Sequence, residues 1–284
     1  MDEPRLTDAL GTRHAPAGEG ARIVSLVPSL TELLFDLGLG AQVVGRTRYC
    51  VHPADRVAAV PGLGGTKKIR LDRLRALAPT HVLVNIDENT RATADAVAEI
   101  VPHVVVTHPL DPADNPGLYR LIGGLFGREA EAEALCGCFQ RAYDALRLAA
   151  RSLPARRVLY LVWKDPWMTV SRETYISRML ALVNWRTVGD DPERRYPRVD
   201  IDAALAESEV VLLPSEPYAF AAADAAGLEA RRPGIDVRLI DGEMVSWYGS
   251  RAIAGLGYLG RFAAAERSAA GRTAARTDDA VKLK

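Results

Sequence analysis

Short apolar runs alternate with amphipathic stretches along most of the chain. Arg22-Ile23-Val24-Ser25-Leu26-Val27 ends at Pro28 and reads as a buried strand, followed by Ser29 as the cap of a helix through Leu37 that Gly38 closes. Val43-Val44, His81-Val82-Leu83-Val84 and Val104-Val105-Val106 read as further strands, separated by helical stretches at Leu71–Leu77 and Ala92–Ile100. Strands alternating with helices predict a parallel sheet covered by helices. The longest periodic stretch runs from Gly127 to Leu153, where Leu135, Cys138, Phe139, Ala142, Leu146, Ala149 and Leu153 recur at three-and-four spacing. Glu129, Glu131 and Glu133 crowd its start and Arg147 and Arg151 its end, the charge order that a helix dipole favours, and Pro154 stops it.

The pattern then repeats. Val158–Val162 is a buried strand, a helix follows from about Tyr175 to Val183, Asp202 heads a short helix, and Val210–Leu213 and Val237–Ile240 are strands before a final helix to about Ala265. Leu71-Asp72 maps onto Ile201-Asp202, and Val82-Leu83 onto Leu212-Leu213, at one constant offset, so the chain carries an approximate internal duplication. The predicted fold class is α/β: two Rossmann-like α/β/α lobes with parallel sheets, bridged by one long backbone helix. The expected boundaries are a disordered N-terminus over 1–20, an N-terminal lobe over 21–126, the linking helix over 127–153, a C-terminal lobe over 154–268 and a flexible tail over 269–284.

Composition narrows the class of function. The 284 residues are 25% charged and 48% hydrophobic, as in ordinary globular domains. Thirty-six basic side chains balance 36 acidic ones, which leaves no net field to hold nucleic acid or an anionic membrane. The first twenty residues contain no apolar run of the kind found in a signal peptide, so the sequence as it stands is expected in the cytoplasm, and in the periplasm if a leader precedes it. Cys136 and Cys138 face different sides of a helix and Cys50 is remote, which argues against a disulfide framework.

In parallel sheets, ligands bind beyond the carboxyl ends of the strands. The loops predicted there are rich in aromatic and ionisable groups: Tyr49 and His52, Glu88, Trp163 and Trp167, Glu216 and Tyr218, and Trp247, Tyr248 and Arg251. Three of the four tryptophans fall in such loops of the second lobe. Two lobes facing each other across a hinge, with these loops between, predict a cleft that grips a small ligand.

The stretch Arg22–Glu32, together with Val43-Val44-Gly45, Leu71-Asp72 to Val84 and Val170 to Ile176, resembles the ABC-transporter solute-binding proteins with a helical backbone. That class includes receptors for cobalamin, haem and ferric siderophores, and the cobalamin receptors are the most similar within it. The resemblance covers Arg22 to Phe262. It implies a monomeric binding protein that needs no cofactor, takes a corrinoid, haem or other metal chelate as ligand, and delivers it to an ABC-transporter permease when exported. It carries permease docking onto Asp72 and Asp202, where the family more often has glutamate. The same two carboxylates also suit the free N–H groups of helix N-termini.

For a planar chelate, Trp163, Trp167, Trp247 and Tyr248 are the expected aromatic faces, with Tyr49 opposite. His52 is either an axial metal ligand or a loop hydrogen-bonder. A bare metal ion would have to draw on Cys50, His52, Glu88 and Glu216, which form no compact metal motif. Arg251 is expected to pair with a carboxylate of the ligand, Glu88 or Glu216, or to cap the Glu243 loop. The enzymatic alternative is a cytosolic chelatase-like protein on the same bilobal fold, with His52, Glu88 and Glu216 moving protons. No Ser-His-Asp pattern or phosphate-cradling loop accompanies them.

Overall fold

The computed structural model of the chain describes residues 6–18 and 20–265. They form two compact units: the described residues up to Phe139 together with Tyr248–Arg251, and Gln140–Trp247 together with the residues from Ala252 onward.

In the first unit the elements are β1 (Ile23–Ser25), α1 (Pro28–Asp36), β2 (Val43–Arg46), α2 (Ala54–Val57), α3 (Leu71–Leu77), β3 (His81–Asn85), α4 (Arg91–Ala98), β4 (His103–Thr107) and α5 (Asn115–Leu125). The sheet is parallel throughout, in the order β2-β1-β3-β4. All five residues of β3 are buried, as expected of a central strand with both faces covered. One core cluster holds Val24, Leu26, Leu63, Leu74, Val82, Val84, Val97 and Val101. α3 stops at Ala78, whose φ of 43° is left-handed; Pro79 follows and disfavours the helical conformation there. α1 starts on Pro28 with Val27 at the cap position, so Ser29 lies inside the first turn and is not the cap. Proline at N1 lacks only an N–H that would have no partner in the helix.

The long helix, α6, spans Glu129–Ala150, inside the expected range, and the division between the units falls at Phe139/Gln140. The second unit contains β5 (Arg156–Trp163), β6 (Met168–Thr169), α7 (Tyr175–Ala181), β7 (Trp185–Thr187), α8 (Ile201–Glu207), β8 (Val210–Pro214), α9 (Ala222–Arg231), β9 (Asp236–Ile240), α10 (Gly242–Ser246) and a last helix, α11, over 251–265. Its strand order is β6-β5-β8-β9, with β7 also paired to β5, and only β6 runs antiparallel. Leu159, Leu161, Leu205, Val211, Leu213 and Leu228 are among the residues of its core.

Three expectations are corrected. Residues 6–18 are not a disordered arm: Leu6 and Asp8 are buried, and the Ala9 N–H donates to the Val106 carbonyl of β4. Asp8 accepts from the N–H groups of Leu10, Thr12 and Val106 and pairs with His14 at 3.1 Å. The arm thereby covers an edge strand, which sequence composition does not reveal. Next, Tyr248–Arg251 belongs with the first unit, although it lies in the range expected for the second. Finally, α5 and α9 were not expected. Pro116, Gly117, Gly123 and Gly124 disguise α5, yet Gly123 is required by packing, since a Cβ there would stand 2.6 Å from the Ala132 Cβ. The expected tail over 269–284 lies outside the described residues.

Candidate functional site

In the first unit, the loop after β2 carries Tyr49, 48% exposed, with the Arg48 guanidinium 4.9 Å from its ring centre and donating to its hydroxyl at 2.8 Å. His52 is partly buried. Cys50 is fully buried and its sulfur accepts from the Thr31 hydroxyl at 3.0 Å. Burial raises the pKa of this thiol, keeping it protonated and unsuited to metal. Among the described residues, no group of three or more His, Cys, Asp or Glu side chains is placed to hold a metal ion.

The segment Tyr248–Arg251 is fastened to the first unit at four points. The Tyr248 hydroxyl donates to Glu88 at 2.7 Å, and the Gly249 N–H donates to Asn115 Oδ1 at 2.7 Å. The Tyr119 hydroxyl donates to the Gly249 carbonyl at 2.8 Å. Arg251 makes two parallel bonds of 2.7 Å to Glu32, with both side chains mostly buried. Such bidentate pairs are the strong form of charge-assisted bond. Burial still outweighs Arg251 and raises the Glu32 carboxyl above its ordinary value. Arg251 thus pairs with Glu32, a partner outside the expected set. A pairing over more than two hundred residues leaves no local signal in the sequence.

In the second unit, Glu216 follows β8 and accepts from the Ser246 hydroxyl and the Trp247 indole N–H. Burial, first of all, raises its carboxyl above the ordinary value, against those two donors. Trp247 and Tyr248 are both largely buried, and each gives its polar tip to a carboxylate of its own unit. Both side chains, expected as aromatic faces for a ligand, thus have their polar tips engaged within the protein. Trp167 stacks parallel to Phe220, 6.3 Å between ring centres, and packs on the core. Trp163 differs: it is 43% exposed, and its ring meets that of Tyr218 edge-to-face at 5.4 Å.

Asp72 and Asp202 occupy corresponding places in the first turns of α3 and α8, one in each unit. Neither is a helix cap, because Arg70 and Asp200 hold those positions, and the Asp200 side chain accepts from the Ala203 N–H. Both aspartates are about two-thirds exposed and pair with a neighbouring arginine at 3.1 Å, Asp72 with Arg70 and Asp202 with Arg231. The Asp72 carboxyl is held below its ordinary value, first by Arg70 and then by the Arg73 N–H. A 520 Å³ depression beside the N-terminal arm, lined by Leu6, Asp8, Val106, His108 and Leu118 among others, touches none of the expected site residues.

These features accompany a clear kinship. The periplasmic binding protein family matches residues 23–229, and the chain belongs to that family. It is 26% identical over 181 residues to an uncharacterized ABC transporter substrate-binding lipoprotein of Bacillus subtilis, a match covering 61% of this chain and 57% of that protein. It is 23% identical over 186 residues to the vitamin B12-binding protein of Pectobacterium carotovorum, covering 65% of this chain and 67% of that one. The match thus spans little more than half of the first of these relatives. Among solved structures, the periplasmic vitamin B12 binding protein of Vibrio cholerae superposes with a TM-score of 0.74 at 16% identity, covering 87% of this chain and 97% of that one. The periplasmic heme-binding protein of Roseiflexus sp. RS-1 gives 0.71 at 21% identity, covering 85% and 97%. At these identities the likeness shows the fold, that of proteins with two α/β lobes. Relatives named as periplasmic or as lipoproteins give the cytoplasmic expectation no support. Among the described residues, no helix is long and apolar enough to cross a membrane.

Proposed function

We propose that this protein is the solute-binding component of an ABC transporter and that its ligand is a metal chelate of the cobalamin, corrinoid, haem or ferric-siderophore kind. The observation that carries the reading is Trp163, an indole left 43% exposed at the end of a strand in a member of a binding-protein family. An exposed ring at that position fits a conjugated ligand, which needs a flat apolar surface more than many hydrogen bonds. Tyr49 and His52 of the first unit are separate candidates for ligand contact, His52 as an axial ligand. No resident cofactor is part of this reading, and the task is binding, not catalysis: Glu88 and Glu216 are occupied by Tyr248 and Trp247 and so are poorly placed for proton transfer.

Asp72 and Asp202 are proposed to dock a permease from the outer side of the membrane, with the protein acting as a monomer. Their exposed ion pairs with Arg70 and Arg231 are worth little by themselves, and so can be exchanged for arginines of a partner. The test is tryptophan-fluorescence titration with hydroxocobalamin, cobinamide, haemin and ferric siderophores. Saturable quenching is expected from one of these, weakened at least tenfold by Trp163→Ala. No response to any of them from the folded protein would reject the reading. For docking, reconstituted transport with the cognate permease should fall in D72R and D202R while ligand affinity stays the same.

A further inference from the structure

The short ladder of the second unit sorts its side chains onto two faces. The Val199 N–H donates to the Trp167 carbonyl, the Thr169 N–H to the Pro197 carbonyl and the Ser171 N–H to the Arg195 carbonyl. Met168 and Arg198 are therefore directly opposed, as an antiparallel bridge. On its other side Met168 is paired with Trp163, through a register shift in β5 between Leu161 and Trp163. Shifts of this kind re-aim a side chain. Neighbouring residues of an extended strand leave opposite faces, and opposed residues leave the same face. Trp167 and Val199 both pack on the core, so Met168 and Arg198 leave the other way, in one row with Trp163.

That row has a definite chemistry. Trp163 offers an exposed ring, Met168 a polarizable thioether, and Arg198 an exposed guanidinium that has no ion-pair partner among the described residues. Tyr196, two residues before Arg198, is the other exposed aromatic among the described residues of this unit. The acids of the same loop are mostly committed: Asp190 pairs with Arg172, Asp191 accepts from the Glu193 N–H, and Asp200 caps α8. Ser171 ties the loop down, its hydroxyl donating to the Arg194 carbonyl at 2.7 Å and accepting from the Asp191 N–H at 2.9 Å. The arginine is thus mounted on a fixed strand, about 10 Å and two strand spacings from the indole.

We propose that this face selects a ligand with an acidic group at the edge of its conjugated ring: the ring lies on Trp163 and Met168, and Arg198 holds a peripheral carboxylate or phosphate. The proposal rests on the chelate reading above and adds the charge of the ligand's rim. A guanidinium matches either anion with two parallel hydrogen bonds.

The test compares ligand pairs that differ only at the rim: haemin against its dimethyl ester, and hydroxocobalamin against its peripheral monocarboxylic acid. In the wild type the acid of a binding pair should bind about 10-fold or more tighter than its neutral counterpart. R198A should remove that preference and leave the neutral partner's affinity unchanged, R198K should restore part of it, and Trp163→Ala should weaken both partners alike. Equal acid-to-neutral ratios in wild type and R198A, with Trp163→Ala still weakening both, would overturn the role of Arg198 and leave the chelate reading standing. Absence of saturable binding by every probe to folded wild-type protein would overturn both. Thermal melts of the variants check the fold.

Discussion

Trp163 and Trp247 belong to the same unit, Trp163 as the last residue of β5 and Trp247 directly after α10, but the surroundings give them opposite tasks. Trp247 is 7% exposed and its N–H is taken by Glu216; the residues after it, Tyr248–Arg251, are fastened to the first unit through Glu88, Asn115, Tyr119 and Glu32. Trp163 keeps 43% of its surface, in a row with Met168 and Arg198. The segment 247–251 spends aromatic and charged groups on holding the chain, whereas the face around Trp163 leaves the same groups unspent. Aromatic residues in strand-end loops are therefore evidence of a ligand site only after their polar tips and ring faces have been accounted for.

The sharpest way to break this contrast is to load the fastened segment and the open face separately. Arg251→Ala leaves the mostly buried Glu32 carboxylate without its bidentate partner and should cost about 3 kcal/mol in urea unfolding; a loss below about 1 kcal/mol would mean that the pair is solvated. Gly249 has a φ of 81°, and a Cβ there would lie 3.2 Å from the Ser29 carbonyl oxygen. Gly249→Ala should therefore cost about 2 kcal/mol in urea unfolding. Tyr248→Phe removes the donor to Glu88 and should cost about 1 kcal/mol.

A smaller effect concerns pH. The Glu216 carboxyl is raised by burial, so the folded protein holds its proton to higher pH than the unfolded chain does. Its contribution to stability is full below the ordinary glutamate value and is lost as pH rises through the folded value. Glu216→Gln should flatten that decline in unfolding curves measured from pH 4 to 8; an unchanged slope would mean that the carboxyl titrates normally. The smallest stability effect is expected at the open face, where Trp163→Ala should shift unfolding by within about 0.5 kcal/mol while it weakens the ligand. A large destabilisation there would make Trp163 a scaffold residue like Trp247.

The hydrophobic pattern by itself determined strands β1 to β5, β8 and β9, their parallel arrangement and the long helix, because burial of alternating apolar runs is a local property of the chain; it did not reveal α5, α9 or the antiparallel β6. It also determined the correspondence of Asp72 with Asp202, and which loops hold the aromatic residues. Tertiary structure decided the rest. Leu6 and Asp8 close a sheet edge, four residues after Trp247 join the first unit, Arg251 takes Glu32, and Arg198 shares a face with Trp163 through strand pairing and a register shift. Each of these is a contact between segments distant in sequence or a choice of strand face, and neither has a period or a composition that a linear reading can detect.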